Sequence, residues 1–252
     1  MNGISNANDG PDTGKFRETS IQTYARIAGV LLLLTIVAGG FGEAYVPSKL
    51  LAGSDANTTA ENFRAYDSLF RAGFAGYLVE AVCDIALSLV FYVLLKPVHK
   101  QLALLAAFFG LVSTAVFAGA ELFNFGASRI FAGAGYLNAF SPDQQNAIGM
   151  LFLKVFGYGG GIFMALYGIA SMLRGYLILR SGYLPRFLGV LLMLAGAGFV
   201  ANNLAFVLAP SYASDFLALP MFLAALSLTV WFLAKGVDLA EWEKTAGVER
   251  VS

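Results

Sequence analysis

Long runs of apolar residues, separated by short polar segments, dominate this chain from residue 24 onward. A helix of about 20 apolar residues crosses the ~30 Å hydrocarbon core of a bilayer, and runs of this length are typical of membrane-spanning helices. The pattern therefore predicts an all-α fold, a polytopic bundle of six transmembrane helices. The predicted spans are Tyr24–Val46, Leu69–Leu95, Gln101–Ala127, Asn146–Leu173, Phe187–Leu208 and Leu217–Ala234.

Proline and capping residues support these limits. None of the seven prolines falls in the middle of a predicted span, where it would remove a hydrogen bond that lipid cannot replace. We expect Pro47 to end the first span. Ser141–Gln144 has the form of a capping box with proline at the first helical position, which predicts the start of the fourth span. A second capping box at Thr58–Glu61 predicts a short surface helix over Thr59–Tyr66.

Both ends of the chain are polar. Residues 1–20 are rich in Gly, Asn, Asp and Ser and are predicted to be a disordered tail. Residues 21–238 are predicted to form the six-helix membrane domain, and residues 239–252 a second tail. No small-residue cleavage site follows the first apolar run, so we expect a retained helix rather than a cleaved signal peptide.

The composition agrees with a protein whose main partner is the lipid bilayer. Hydrophobic residues make up 58% of the chain and charged residues 13%, with a mean hydropathy of +0.70, whereas soluble domains carry about 25% charged residues. Soluble enzymes and disordered chains are therefore disfavoured. The 16 basic and 16 acidic residues cancel, which leaves no net charge to attract nucleic acid.

Cysteine and histidine usage limits the chemistry of the chain. Cys83 is the single cysteine, which excludes an intramolecular disulfide and a cysteine-based metal site. His99 is the single histidine, so a metal site that needs two histidines and a Ser-His-Asp triad have no basis here. We therefore predict no metal ligands and no cofactor.

The loop charges predict the orientation in the membrane. Eleven basic residues fall in the two predicted tails and the two loops on their side, against four on the opposite side. Cytoplasmic loops carry the excess of lysine and arginine. Both termini are therefore expected in the cytoplasm.

Several polar residues lie inside the predicted spans, where a charged side chain costs ~2.5–3.5 kcal/mol at the bilayer centre on insertion scales. Tyr77, Glu80 and Asp84 recur at spacings of three and four, so they are expected on one face of the second span. By depth, most of the polar residues fall in the outer half of the membrane. This asymmetry predicts either an outward-opening polar pocket or a closed network of ion pairs.

The candidate ligand-binding residues are Glu43, Tyr77, Glu80, Asp84, Glu121, Asn124, Lys154, Asn202 and Asn203. Lys154 is expected within ion-pair reach of Glu80 or Glu121, because these residues lie at matched depths and unpaired charges would oppose insertion. Gly157 and Gly161 form a small-xxx-small pair and predict close helix packing by the fourth span. No residue is assigned a catalytic role.

A set of short motifs marks a resemblance that extends over residues 22–238. They are Ala25–Gly29, Phe41–Glu43, Asp55–Asn62, Leu69–Gly73, Tyr92–Val98, Gly175–Ile178 and Ser181–Arg186. In their combination the chain resembles the bacterial integral membrane family called domain of unknown function 4386. The resemblance implies a multi-span protein of the bacterial inner membrane, and it implies no activity.

Three hypotheses for the function remain open at this point. The first is a membrane carrier or receptor that binds or transports a small solute, a proton or a lipid-like ligand in the outer-half pocket. The second is an accessory or structural protein whose charges only hold the bundle together. The third, an intramembrane enzyme with acidic catalysts, is the weakest, because the sequence shows neither a nucleophile–base pair nor a metal-ligand set. The oligomeric state is not indicated.

Overall fold

The computed structural model describes residues 13–208 and 219–247, with side chains from residue 21 onward. The described residues form helices and connecting turns and contain no strand, which confirms the all-α prediction. The α-helices are α1 (Thr13–Gly39), α2 (Val46–Leu50), α3 (Ala56–Ala65), α4 (Asp67–Leu95), α5 (Lys100–Phe131), α6 (Pro142–Ser181), α7 (Arg186–Leu208), α8 (Leu219–Ala234) and α9 (Leu239–Ala246). A π-helical turn (Gly40–Tyr45) joins α1 to α2, and a 3-10 turn (Gly135–Leu137) precedes α6.

The helices are long and apolar enough for a multi-pass membrane protein. Among the described residues, five spans pass by length and composition: Ile21–Leu50, α4, α5, α6 and α7. The sixth, α8, passes only together with α9, from which it is bent by 101°. The predicted start of this span at Leu217 lies outside the described residues.

The six long helices form a closed ring in the order of the sequence. Each packs against the next one along the chain, and α8 packs against α1. We call the end that holds residues 21, 96–99, 182–185 and 247 the terminal end, because both described chain ends lie there. The opposite end, which holds α3 and residues 132–141, is the distal end.

The terminal end of the ring is filled by an apolar core that includes Leu87, Leu177 and Phe232. Two side chains also bind the last turn of α4 there. The Tyr183 hydroxyl and the Trp242 indole N–H both donate to the Leu94 carbonyl oxygen, at 2.7 and 3.2 Å. These contacts fix the α6–α7 turn and α9 against α4 and close this end of the bundle.

At the distal end, α3 covers the ring and is held by polar contacts. The Arg64 guanidinium donates to the Phe131 carbonyl oxygen at 2.7 Å and to Asn146 Oδ1 at 3.1 Å. Asn146 in turn donates to Asn57 Oδ1 at 2.8 Å. These bonds join α3 to the end of α5 and the start of α6.

The surface helix begins three residues earlier than predicted, at Ala56 rather than Thr59. Its N-cap is Asp55, whose carboxylate accepts from the Asn57 and Thr58 amides, so the predicted cap at Thr58 is wrong. Hydrogen bonds from the Thr58 side chain and amide hold the pKa of Asp55 below its usual value.

The first span differs from the prediction at both ends. α1 already begins at Thr13, inside the segment predicted as tail, and residues 1–12 lie outside the described residues. Pro47 does not end the span, which continues to Leu50. Proline lacks an N–H and its ring clashes with the carbonyl four residues earlier. The wider π-helical turn immediately before α2 accommodates this break without ending the helix.

The fourth span is much longer than predicted. The capping box is confirmed, since Ser141 and Gln144 exchange both hydrogen bonds, but the helix ends only at Gly182, which has a left-handed φ of 74°. The predicted end at Leu173 had left Arg174 among the eleven basic residues of tails and loops, but it lies within the span. Removing it from the eleven basic residues leaves ten against four, so the expected orientation does not change.

Two reciprocal glycine pairs set the contact between α6 and α7. A Cβ atom on Gly168 would lie 2.7 Å from the Gly196 carbonyl oxygen, and one on Gly196 would lie 2.4 Å from the Gly168 oxygen. Gly175 and Gly189 repeat this arrangement at 2.7 and 2.6 Å. The two backbones can touch only because these positions carry no side chain.

The predicted packing through Gly157 is wrong, and the one through Gly161 is correct. Gly157 has open space around it, whereas a Cβ on Gly161 would lie 2.8 Å from Asn203 Oδ1 on α7. The close contact with α7 thus begins one turn later than the sequence motif indicated.

We predict that Gly168→Leu lowers the midpoint of thermal unfolding in detergent, because overfilling a packed contact costs ~1–3 kcal/mol or more. Gly157→Leu on the same helix is the matched control and should leave the midpoint unchanged, since nothing lies within 4 Å of that position. Equal midpoints for both variants would show that the glycine pairs do not hold α6 to α7.

The orientation is a prediction that labelling can test. Gln101 at the terminal end and Asn138 at the distal end are both exposed, and the native Cys83 is buried. In intact cells, a membrane-impermeant maleimide should label Asn138→Cys and should reach Gln101→Cys only after permeabilisation. The reverse pattern would invert the proposed topology.

Candidate functional site

The polar face predicted on α4 points into the ring. Tyr77, Glu80, Asp84 and Ser88 are all at least nine-tenths buried, which confirms that they share one face. Arg71, nine residues before Glu80 and therefore on the opposite face of the helix, is exposed and pairs with Asp67 at 2.7 Å. The interior of the bundle therefore holds two carboxyl groups from α4 alone.

Two further carboxyl groups approach those of α4 from neighbouring segments. Glu121 on α5 is 5% exposed. Glu43 on the π-helical turn is exposed, yet it interacts electrostatically with Glu80, Asp84 and Glu121, which are buried. Glu43 therefore lies at the accessible edge of the cluster, on the distal side of the buried carboxyl groups.

Backbone contacts place α4 against the first span. A Cβ on Gly39 would lie 3.3 Å from Glu80 Oε1, so the absence of a side chain there makes room for the Glu80 carboxyl. The Tyr77 hydroxyl donates to the Gly42 carbonyl oxygen at 2.8 Å. Gly42 belongs to the π-helical turn, a feature that is frequent at functional sites.

The buried carboxyl groups are only partly hydrogen-bonded. Asn124 donates to Glu121 Oε2 at 3.0 Å. Glu121 Oε1, Glu80 Oε2 and Asp84 Oδ1 have no hydrogen-bond partner among the described residues. Since buried polar groups are nearly always paired, such atoms mark a place where a proton, an ordered water or another partner completes the hydrogen bonding.

The cation of this region is Arg174, which the sequence analysis missed. It is 4% exposed, and its Nη2 donates to Ser88 Oγ at 3.3 Å. Its guanidinium carbon lies 5.0 Å from the Phe91 ring centre and 5.8 Å from that of Tyr167. A Cβ on Gly110 would lie 2.6 Å from Nη2, so this glycine makes room for the guanidinium.

Arg174 does not form a direct ion pair with the carboxyl groups. It interacts electrostatically with Asp84, but no nitrogen–oxygen distance between them is within 4.0 Å. The two ion pairs within the described ranges, Arg71–Asp67 and Lys244–Glu241, lie between exposed side chains elsewhere. Among the described residues, the cluster thus combines three buried carboxyl groups, one accessible one and one separated cation.

A sequence signal for Arg174 does exist. The five residues that follow it, Gly175–Leu179, are apolar or aromatic and could extend the helix by more than one turn. Arginine was assigned to the loop because basic residues commonly flank membrane spans. The structure shows instead that polar groups reach into the terminal half of the bundle, where the sequence had predicted almost uniform apolarity.

The expected ion pair of Lys154 is wrong. Its side chain is exposed and forms no salt bridge in the part of the chain that the structure describes. Phe163 and Arg174 mark the buried face of α6, and Lys154 lies nine residues before Phe163, which is about 180° around the helix. Matched depth therefore did not imply a shared face.

The two asparagines of α7 also lie apart from the candidate cluster. Asn203 donates to the Phe199 carbonyl oxygen of its own helix at 2.9 Å and contacts Gly161, in the α6–α7 interface. Asn202 is half-buried on the same helix. The structure brings together Glu43, Tyr77, Glu80, Asp84, Glu121 and Asn124 of the nine candidate residues.

A cavity of about 400 Å³, including the space at its mouth, opens at the distal end next to this cluster. We call Gly42, Tyr77 and Asn124 its floor, because Tyr77 donates to the Gly42 carbonyl oxygen and Asn124 binds Glu121. The pocket predicted as polar is thus apolar along its walls and polar only at its floor. The walls are Val46, Pro47, Leu50, Leu51, Phe63, Phe70, Leu153 and Phe156.

The carboxyl groups extend along the bundle rather than converge on one point. Among the described residues, no group of three or more His, Cys, Asp or Glu side chains is arranged to hold a metal ion.

Comparison with known proteins places the chain in a family. The family described as Domain of unknown function (DUF4386) matches residues 27–236. An uncharacterized protein from Archaeoglobus fulgidus is 24% identical over 168 residues, which cover 66% of this chain and 85% of that protein. No solved structure matches the chain. Because the family match extends from the first membrane span to the end of α8, the chain belongs to the DUF4386 family.

Proposed function

We propose that the protein binds a small organic cation in the distal cavity, as the first step of carrying it across the membrane. The observation that supports this most strongly is the position of the cavity. Its lining is aromatic in part and includes Asn124, which binds Glu121, a carboxyl group that forms no salt bridge among the described residues.

The walls of the cavity favour a cation with an apolar body. Four of the lining residues are aromatic: Phe63, Phe70, Tyr77 and Phe156. Aromatic faces attract cations with ~0.5–2 kcal/mol each and are used to recognise quaternary ammonium groups. The space inside the cavity that a water-sized molecule can reach is about 70 Å³, which suits only a compact ligand.

The acidic groups near the floor of the cavity favour a positively charged ligand. An ionised carboxylate in a water-poor interior is stable only when it is paired. An anionic ligand would add to the excess of negative charge, whereas a cation compensates it. The spread of the carboxyl groups disfavours a bare metal ion.

We also propose that the membrane is the inner membrane of a bacterium, with the terminal end of the ring in the cytoplasm. The basic residues of the tails and loops on that side, ten against four by sequence, support this orientation. The resemblance to a bacterial membrane family supports the choice of membrane. The cation would then enter from outside the cell.

Binding of benzyltrimethylammonium to the protein in lipid nanodiscs tests this function. We predict saturable binding by isothermal titration calorimetry, and weaker binding of the neutral isostere neopentylbenzene. Glu121→Gln should weaken cation binding about tenfold or more, because the carboxylate next to the floor is removed. Asp67→Asn, which neutralises an exposed carboxylate outside the ring, is the matched control and should bind as the wild type does.

The aromatic wall has its own test. Phe156→Leu keeps an apolar side chain and removes the ring, so it should weaken binding of the cation more than binding of neopentylbenzene. If the cation does not bind, or if Glu121→Gln and Asp67→Asn bind it equally well, the proposal is wrong. The charges of the ring would then serve only to hold the helices together.

A further inference from the structure

We infer that the protein exchanges the bound cation for a proton: the carboxyl groups of the ring interior hold protons in the empty state and release about one per cation bound. This inference rests on the proposed function and adds a coupling to it. Two observations support it: the carboxyl groups of the cluster outnumber the cations, and Arg174 lies far from most of them.

Most of the ionisable groups in this cluster are acidic. Four carboxyl groups stand against one guanidinium, Arg174. After Arg186, the described parts of α7 and α8 contribute no ionisable side chain. The titratable groups facing the cluster are Glu43 from the π-helical turn, Tyr77, Glu80, Cys83 and Asp84 from α4, Glu121 from α5, and Tyr167 and Arg174 from α6.

Arg174 can balance the negative charge only of the carboxyl group nearest to it, Asp84. Its guanidinium lies at the level of Ser88, and Glu80 lies two turns further along α4, about 12 Å away along the helix axis. Asp84 lies between the two, without a direct ion pair to Arg174. The remaining carboxyl groups therefore need protons or a foreign cation to be stable in the interior.

The unpaired atoms are not confined to the acidic residues. Arg174 Nε and Ser171 Oγ, on side chains that are more than nine-tenths buried, also have no hydrogen-bond partner among the described residues. These atoms lie on α6, apart from the residues that line the distal cavity, so the interior holds unpaired polar atoms at more than one level. The site is thus more than an accumulation of carboxylates.

Glu80 is the group through which the exchange is coupled. It interacts electrostatically with each of the other three, Glu43, Asp84 and Glu121. When a cation settles next to Glu121, it favours the ionised form of the neighbouring carboxyl groups. One O–H bond then breaks, the proton passes to water at the distal mouth, and the carboxylate that remains balances the charge of the cation.

Proton release on binding is measured with the wild type and two variants. Benzyltrimethylammonium is mixed with the protein in nanodiscs in weakly buffered solution that contains a pH indicator. We expect about one proton per bound cation, and a binding affinity that rises up to about tenfold per pH unit, because the released proton competes with the cation. Asp67→Asn should leave the ratio of protons to cations unchanged.

Glu80→Gln should reduce that ratio to less than half and flatten the dependence of the affinity on pH, while the cation still binds. Asp84→Asn is the second variant and should lower the ratio in the same direction if Glu80→Gln does not fold. Binding of the cation without proton release would overturn the exchange and leave the proposed binding function intact. Absence of any binding would overturn both, so the two failures are distinguishable.

Discussion

The site depends on one constraint, which is the separation of its carboxyl groups from Arg174, the one buried cation among the described residues. Helix α4 places Glu80 and Asp84 on one buried face. The π-helical turn and α5 add two more carboxyl groups. Arg174 is held by Ser88 and two aromatic rings rather than by a carboxylate. An ionised side chain without a partner is costly in a membrane interior. A cation that binds at the distal side of the ring would therefore stabilise the ionised carboxyl groups.

The architecture of the ring determines the side from which that species arrives. At the terminal end, the apolar core and the bonds from Tyr183 and Trp242 to Leu94 fill and close the bundle. At the distal end, α3 covers a cavity whose floor touches the carboxyl cluster. The glycine pairs hold α6 against α7 along the terminal half of α6, so access to the interior is concentrated at one end.

Periodicity predicted the helical bundle and the buried face of α4, because spacings of three and four directly encode which side chains share a face. It could not place Lys154, because depth gives the level of a residue and not its direction around the helix. Arg174 was assigned to a loop by the usual position of basic residues, although the apolar residues after it extend the helix. The π-helical turn around Pro47 has no sequence signature of its own, and the cavity follows from the packing of α2 and α3.

The central claim is that the interior carboxyl groups have no cation next to them and are therefore protonated. Infrared spectroscopy of the ligand-free protein in nanodiscs at neutral pH tests this most directly. Protonated carboxyl groups absorb separately from carboxylates, and their band shifts in D2O. We predict that such a band is present, that it weakens when benzyltrimethylammonium is added, and that Glu80→Gln diminishes it while Asp67→Asn does not. A spectrum that shows only ionised carboxylates would contradict the separation of charges on which the site is built.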